Sequence, residues 1–284
     1  MTDGVVPVAK PAGPTSHDVV DRARRLLETR RVGHLGTLDP FAAGLLGLVV
    51  GRATRLARYA AGWDKTYEGV IRLGRTTTTD DLTGRTVTES AGWAAVDTAA
   101  VAGALARFRG RYEQRPPAYS ARKVDGERAY RRARRGETVA LDPRPVEVQA
   151  LELLAFTPPD VRFRAVVSGG TYLRSVARDV GEALGCGAHL TELRRTGLGP
   201  FTLDEAVAPE ELTPGHVRDA AVLVRDLPRR ELDAGEREAV IHGRPIMAGT
   251  GERGAVALFA AGALVAVAEL AGEVLKPRVV VVEA

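Results

Sequence analysis

Apolar and polar positions alternate along the chain in patterns that predict a succession of strands and helices. After the turn Lys10-Pro11-Ala12-Gly13-Pro14, Ser16 is placed to cap a helix, with Val19, Val20, Ala23, Leu26 and Leu27 on one face and Arg22 and Arg25 on the other. Residues 31–40 are punctuated by glycine and hold a histidine and an aspartate, which predicts a loop, and 42–59 turn apolar again as a buried element. In residues 66–73, Tyr67, Ile71 and Leu73 face away from Glu68 and Arg72, as in a half-buried strand. The Thr- and Asp-rich stretch 76–84 reads as a loop. Val161, Phe163, Ala165 and Val167 mark a second strand; it is broken by Ser168-Gly169-Gly170, after which Leu173, Val176, Ala177, Val180 and Leu184 recur at helical spacing.

Beyond Leu227 the character changes. Gly-, Ala- and Val-rich segments at 255–260, 263–270 and 278–282 predict strands of a compact β module. The expected organisation is therefore a domain over 1–226 and a second over 227–284. Strands and helices alternate in the first part without regular βαβ spacing, which predicts an α+β fold rather than a doubly wound one.

Composition narrows the functional classes. With 45% hydrophobic and 27% charged residues among 284, the chain has enough apolar material for a packed core. Its one cysteine, Cys186, excludes an internal disulfide, and five dispersed histidines offer no metal-binding spacing, so no metal is expected. No apolar stretch resembles a secretory leader or a membrane span, so a cytoplasmic protein with no membrane association is expected. The formal charge is only +4, but residues 107–135 hold eleven Lys or Arg against Glu113, Asp125 and Glu127. Phe108, Tyr112, Tyr119 and Tyr130 interleave with these cations, as a surface for phosphates and exposed bases requires. A solvated arginine-rich helix is the plainer reading of the same block.

Two clusters hold candidate chemistry. The first is Val32-Gly33-His34-Leu35-Gly36-Thr37-Leu38-Asp39-Pro40, where a carboxylate before proline on a glycine-bearing loop can be held in fixed geometry close to a ligand. An ordinary turn has the same signature. The second is Gly169-Gly170-Thr171-Tyr172-Leu173-Arg174, where Arg174 can pair with a buried carboxylate and Tyr172 offers a ring face and a hydroxyl. A surface arginine beside a core tyrosine fits the pattern too. Tyr67 can stack on a base or simply fill the core. Cys186, between two glycines, lacks a histidine in any interpretable motif and is not taken as a nucleophile. Gly249 to Gly254 reads GTGERG, but neither a clear strand before it nor a helix after it supports dinucleotide binding, and a hairpin turn is expected there. With no P-loop, nucleophile elbow or HExxH motif, no cofactor is expected.

Five ordered blocks carry a resemblance: VAKPAGPTSHDVV, VGHLGTLDPFAAGLL, DKTYEGVIRLG followed by TTDD, PPAYSARKVDGERAY, and SGGTYLRSVARDVGEALGCGAHLTELRR. Together, from Gly4 to about Arg195, they resemble the TruB family of tRNA pseudouridine-55 synthases. The resemblance implies a mixed β-sheet catalytic domain with a basic RNA-gripping insertion at about 107–140, a small C-terminal β-rich domain similar to a PUA module, and the T-arm of tRNA as partner, with no obligate protein partner. It implies Asp39 as the catalytic aspartate, His34 as the residue taking the place of the extruded base, and Tyr67 stacking on the target uracil. Tyr172 and Leu193 then line the pocket, Arg174 pairs with Asp39 and keeps it ionised, and Lys10, Arg122 and Lys123 contact RNA. Ala9, Pro7 and Ala43 depart from the family pattern, and Pro7 puts the pairing of the first strand in question. A non-catalytic RNA-binding or RNA-chaperone protein is the second reading of the basic block and β module, and a guide-dependent synthase acting with protein partners is a third.

Overall fold

The computed structural model describes residues 3–120, 123, 124, 126–129, 132, 135, 137 and 141–282. Its strands in the first part are β1 (Gly4–Lys10), β2 (Val32–His34), β3 (Ala43–Val50), β4 (Lys65–Leu73), β5 (Arg75–Thr77), β6 (Thr86–Glu89) and β7 (Gly110–Gln114). There follow β8 (Lys123–Val124), β9 (Glu127–Arg128), β10 (Arg144–Thr157), β11 (Asp160–Val167), β12 (Ala188–Leu198), β13 (Phe201–Thr202) and β14 (Arg218–Asp219). The main sheet runs β14-β1-β3-β12-β4-β11-β10-β7, with β2 also on β3 and β13 also on β12. Neighbours pair antiparallel except β3 with β12, whose short parallel contact aligns Ala43 with Arg194 and Gly44 with Arg195. The sheet is therefore mixed, and its parallel junction lies beside the loop that follows β2.

Both faces of this sheet are covered, which explains why β3 reads as a continuous apolar run. Leu46, Leu48 and Val50 enter the core formed with α1 (Ser16–Leu26), α2 (Thr98–Arg107) and α3 (Leu173–Ala183), while Leu45 and Val49 enter the opposite core. That second core holds Ala53, Leu56 and Ala60 of a 3-10 helix, Gly51–Ala60, and Phe259, Leu264, Val267 and Val279 from the C-terminal sheet. The apolar stretch after residue 42 is thus a strand followed by a helix that turn back on one another.

The C-terminal sheet has the order β15-β17-β18-β19-β16, built from β15 (Arg229–Glu231), β16 (Ile246–Met247), β17 (Ala255–Ala260), β18 (Ala263–Ala271) and β19 (Val274–Val280). The third strand predicted here begins earlier than 278, and α4 (Ala234–Ile241) has no apolar stripe to announce it, with Val240 its only buried residue. The GTGERG segment is a turn but not a hairpin: it joins β16 to β17, which pair with other strands, and Glu252 caps it by accepting from Gly249 N–H at 2.7 Å.

Two local expectations change. The cap of α1 is Thr15, whose hydroxyl accepts from Asp18 N–H at 3.1 Å while Asp18 accepts from Thr15 N–H at 2.7 Å. Ser16 is left free for another task, described below. Pro7 does not interrupt β1, which stays in register with β3 from Gly4–Val50 to Lys10–Gly44. Pro7 lies opposite Gly47, whose carbonyl accepts from Leu35 N–H rather than from β1, so the position requires no donor towards β3.

Candidate active site

The loop bearing Asp39 joins β2 to β3 and is tied down from four directions. Ser16 Oγ donates to Leu38 O at 3.0 Å and accepts from Leu38 N–H at 2.8 Å, satisfying both polar groups of a buried residue from the start of α1. Lys10, at the end of β1 and 1% exposed, donates from Nζ to the carbonyls of Pro11 (2.8 Å), Pro40 (3.3 Å) and Ala42 (2.7 Å). Arg195, fully buried on β12, donates from Nε to Leu45 O at 2.6 Å and from Nη2 to Gly36 O at 3.1 Å. Gly44 permits the approach of β12: at φ +108° it has Arg195 backbone where a Cβ would stand, 2.2 Å from the carbonyl oxygen.

The fourth tie is Arg174, in the first turn of α3. Its Nε donates to Asp39 Oδ2 at 2.9 Å and its Nη2 to Asp39 Oδ1 at 3.1 Å, a bidentate fork. The same guanidinium donates to Thr79 O and Tyr119 O, each at 2.9 Å, and Asp81 Oδ2 lies 3.6 Å from Nη1. One buried arginine thereby joins the Asp39 loop, the 78–81 turn and the base of the basic insertion. Below it on α3, Ser175 Oγ donates to Arg115 O, and Arg178 pairs with Asp80 at 3.2 Å.

Asp39 faces a cavity of about 280 Å³, near the lower end of the ~300–1,000 Å³ typical of small-ligand sites. Tyr67, Tyr172, Leu173 and Leu193 give it apolar walls. Tyr67 is 6% exposed, and its hydroxyl accepts from Arg195 Nη1 at 3.4 Å. Tyr172 sits at the N-terminus of α3, its N–H donating to Gln114 Oε1 (2.9 Å) and its carbonyl accepting from Gln114 Nε2 (3.2 Å). The structure thus brings Asp39, Tyr67, Tyr172, Arg174 and Leu193 together around one cavity.

Electrostatics at the site are set by burial. It pushes the Asp39 carboxyl above the ordinary carboxylate range, Arg174 and Lys10 pull it back, and Asp81 adds to the rise. Arg174 thus acts in the direction that favours the ionised carboxylate, against the rise that burial causes. Burial also lowers Lys10 and Lys65 to about 8, with Arg195 pushing both in the same direction.

Other predicted residues are placed differently. His34 is on β2, outside the cavity lining, and its Nδ1 accepts from Gly36 N–H at 3.3 Å; burial lowers its pKa, in keeping with an unprotonated Nδ1. Lys10, expected at RNA, is a structural brace instead, because its ammonium is enclosed by three carbonyls. Arg122 and Tyr130 lie outside the described residues; Lys123 is placed only as part of β8, paired with Arg128. Phe108 and Tyr112 pack edge-on against one another, ring centroids 5.5 Å apart, and lie partly buried against the core instead of standing free as stacking platforms. Arg111, Arg132 and Arg135 form exposed ion pairs with Glu147, Glu137 and Glu127. Such pairs contribute little and can yield to a phosphate.

Arg195, Lys65, Gln114 and Asp81 were missed by sequence reasoning. For Arg195 a signal existed: it lies two residues after Leu193, and strand alternation puts both on the inner face. Cys186 is buried and burial pushes its thiol up, as for an inert core cysteine. Among the described residues no cluster of His, Cys, Asp and Glu could hold a metal, and no helix is long and apolar enough to cross a membrane.

A mixed sheet with a bidentate arginine–aspartate pair in a tyrosine-walled cavity, beside a basic insertion, belongs here to a chain that matches the family model of a pseudouridylate synthase, and that is its class. Two solved structures share the fold. One is the archaeal box H/ACA sRNP Nop10-Cbf5 complex, with a TM-score of 0.74, 25% identity and coverage of 99% of this chain and 87% of that one. The other is a Cbf5-Nop10-Gar1 complex, with a TM-score of 0.76, 26% identity and coverage of 99% and 86%.

The chain belongs to the TruB family. The TruB family pseudouridylate synthase N-terminal domain matches residues 24–173, and the tRNA pseudouridylate synthase B C-terminal domain matches 174–229. The tRNA pseudouridine synthase B of Thermobifida fusca is 49% identical over 280 residues, covering 95% of each chain. That of an Arthrobacter species is 46% identical over 297 residues, covering 99% of this chain and 97% of the relative.

Proposed function

We propose that this protein isomerises uridine to pseudouridine at position 55 in the T-arm of tRNA. The observation that carries the reading is Asp39 held in the Arg174 fork at the edge of the tyrosine-walled cavity. The reaction breaks the N1–C1′ bond, turns the uracil and forms C5–C1′, with the C5 proton lost and N1 protonated. No electrons are gained or lost overall, so atoms and charge balance without a co-reactant.

A stacked base must first leave the folded RNA, at a cost of a few kcal/mol. Tyr67 then stacks on the extruded uracil, Leu193 and Tyr172 confine it, and His34, on β2, fills the place it leaves. Ionised Asp39 attacks as a nucleophile or removes a sugar proton on the way to a glycal; both routes need the charged carboxylate. The basic insertion grips phosphates, and the C-terminal sheet is a PUA-like RNA-binding domain over 227–284. The protein acts in the cytoplasm without an obligate protein partner.

Purified protein and unmodified tRNA transcript, without guide RNA or cofactor, test this by carbodiimide labelling and primer extension. A stop at position 55 with wild type that vanishes with Asp39→Asn supports it. Binding without any pseudouridine would favour an RNA-chaperone role, and a requirement for guide RNA would favour a guide-dependent enzyme. Replacing Arg122 and Lys123 is expected to weaken binding and flatten its salt dependence; an unchanged slope contradicts phosphate contacts there.

A further inference from the structure

Only three buried side-chain polar atoms among the described residues lack a hydrogen-bond partner: Arg24 Nε, Ser120 Oγ and Thr171 Oγ1. Two of the three belong to residues lining the cavity beside Asp39. Buried hydroxyls are ordinarily satisfied, and two orphans, both covered, on residues that line one cavity call for a partner that a bound ligand brings.

We infer that the Ser120 and Thr171 hydroxyls are positioning groups that hydrogen-bond the polar edge of the target uracil and follow it through its turn. The inference rests on the proposed uridine isomerisation. Uracil entering an apolar pocket brings O2, O4 and N3–H, each of which needs a partner once water is excluded. The other buried polar side chains of the cavity are engaged: Arg174 with Asp39 and two carbonyls, Arg195 with Leu45, Gly36 and Tyr67, and Lys65 with the Trp63 carbonyl.

The chemistry makes a hydroxyl suitable. Turning uracil about its N3–C6 axis brings C5 to where N1 was and exchanges O2 with O4, so each edge of the cavity meets one carbonyl oxygen before the turn and the other after it. A hydroxyl rotates freely and both donates and accepts, so one side chain can serve either orientation and the intermediate ones. The backbones that carry them are anchored. Ser120 follows Tyr119, whose carbonyl accepts from Arg174 Nη2 at 2.9 Å, and Ser120 is 4% exposed. Thr171 lies between Gly170, at φ +93°, and Tyr172, whose backbone is clamped at both ends by Gln114.

Single-turnover rates at saturating tRNA transcript, tRNA affinity and melting temperature, measured for Ser120→Ala, Thr171→Val and the double variant, test this. Each single variant is expected to slow isomerisation roughly tenfold, a hydrogen bond's typical contribution, with affinity within about twofold of wild type. Melting temperature should stay level or rise, because an unpaired buried hydroxyl has been removed, and Thr171→Ser should restore the rate. A transcript carrying 4-thiouridine at the target, a poorer acceptor, should slow wild type more than the double variant. Wild-type rates in the variants, rate losses that only follow lost stability, or an equal thio effect in all proteins would overturn the inference while leaving wild-type turnover, and hence the uridine reading, intact. Absence of pseudouridine with wild type itself overturns both.

Discussion

Replacing Arg174 by lysine keeps a cation beside Asp39 and removes the fork. The guanidinium makes two bonds to Asp39, at 2.9 and 3.1 Å, and two to carbonyls, each at 2.9 Å, with Asp81 at 3.6 Å. A lysine nitrogen has three donors at one point and cannot span these groups, so at least two charge-assisted bonds are lost, each worth about 1.5–3 kcal/mol. Part of this loss falls on overall stability and part on the ionised form of Asp39. Arg174 is the largest influence opposing the burial that raises the Asp39 pKa. Weakening it should raise that pKa further, because the opposite charge that favours the ionised form is less well placed.

Single-turnover rate against pH is the assay. In wild type the acid limb should already lie above the ordinary carboxylate value of 3.8, since burial raises the group. In Arg174→Lys the limb should move further up in pH, so that the rate loss is greatest on the acid side, about tenfold for each pH unit below the limb, and recovers as the pH rises. A rate reduced by one factor at every pH, with the limb unmoved, would refute the reasoning and leave Arg174 as a structural tie alone.

Asp39→Asn should abolish turnover and leave tRNA affinity within about threefold, because the surface proposed to grip phosphates lies elsewhere; this is read by filter binding beside the isomerisation assay. Gly44→Ala places a Cβ 2.2 Å from Arg195 O at φ +108°, so denaturant titration should show a loss of roughly 3 kcal/mol or more. Lys65 is held at about 8 in the fold against 10.5 unfolded, so above pH 8 the unfolded chain binds more protons and stability rises with pH; Cys186, raised by burial, opposes this above its ordinary 9.0. The rise between pH 8 and 9 should be smaller in Lys65→Met, and an identical slope would contradict the buried-lysine account.

One-sided periodicity made much of this fold readable in advance. Val161, Phe163, Ala165 and Val167 are all fully buried on β11, and Leu173, Val176, Ala177 and Val180 form the buried stripe of α3. What escaped was structure whose cause is distant. β2 is three residues long and exists because β3 offers it an edge, and Ser16 looks like a cap until Leu38, 22 positions later, claims its hydroxyl. Arg174 and Asp39, 135 positions apart, were paired by resemblance and not by any local pattern.

The buried cations show where pattern reading stopped too early. Lys10 follows Val6 and Val8 at a spacing of two on β1, Lys65 precedes Tyr67 by two on β4, and Arg195 follows Leu193 by two on β12, so strand geometry assigns all three to inner faces. Charge type suggested the surface, and register was the better guide. A buried cation persists only where partners repay its desolvation, and here those partners are mostly carbonyls of the Asp39 loop and its flanks. The cavity lining therefore holds Lys65, Arg174 and Arg195 against Asp39, an excess of two cations while all are charged. Burial depresses Lys10 and Lys65, with Arg195 adding to it, and the cationic excess of the lining favours a base that carries phosphates on either side.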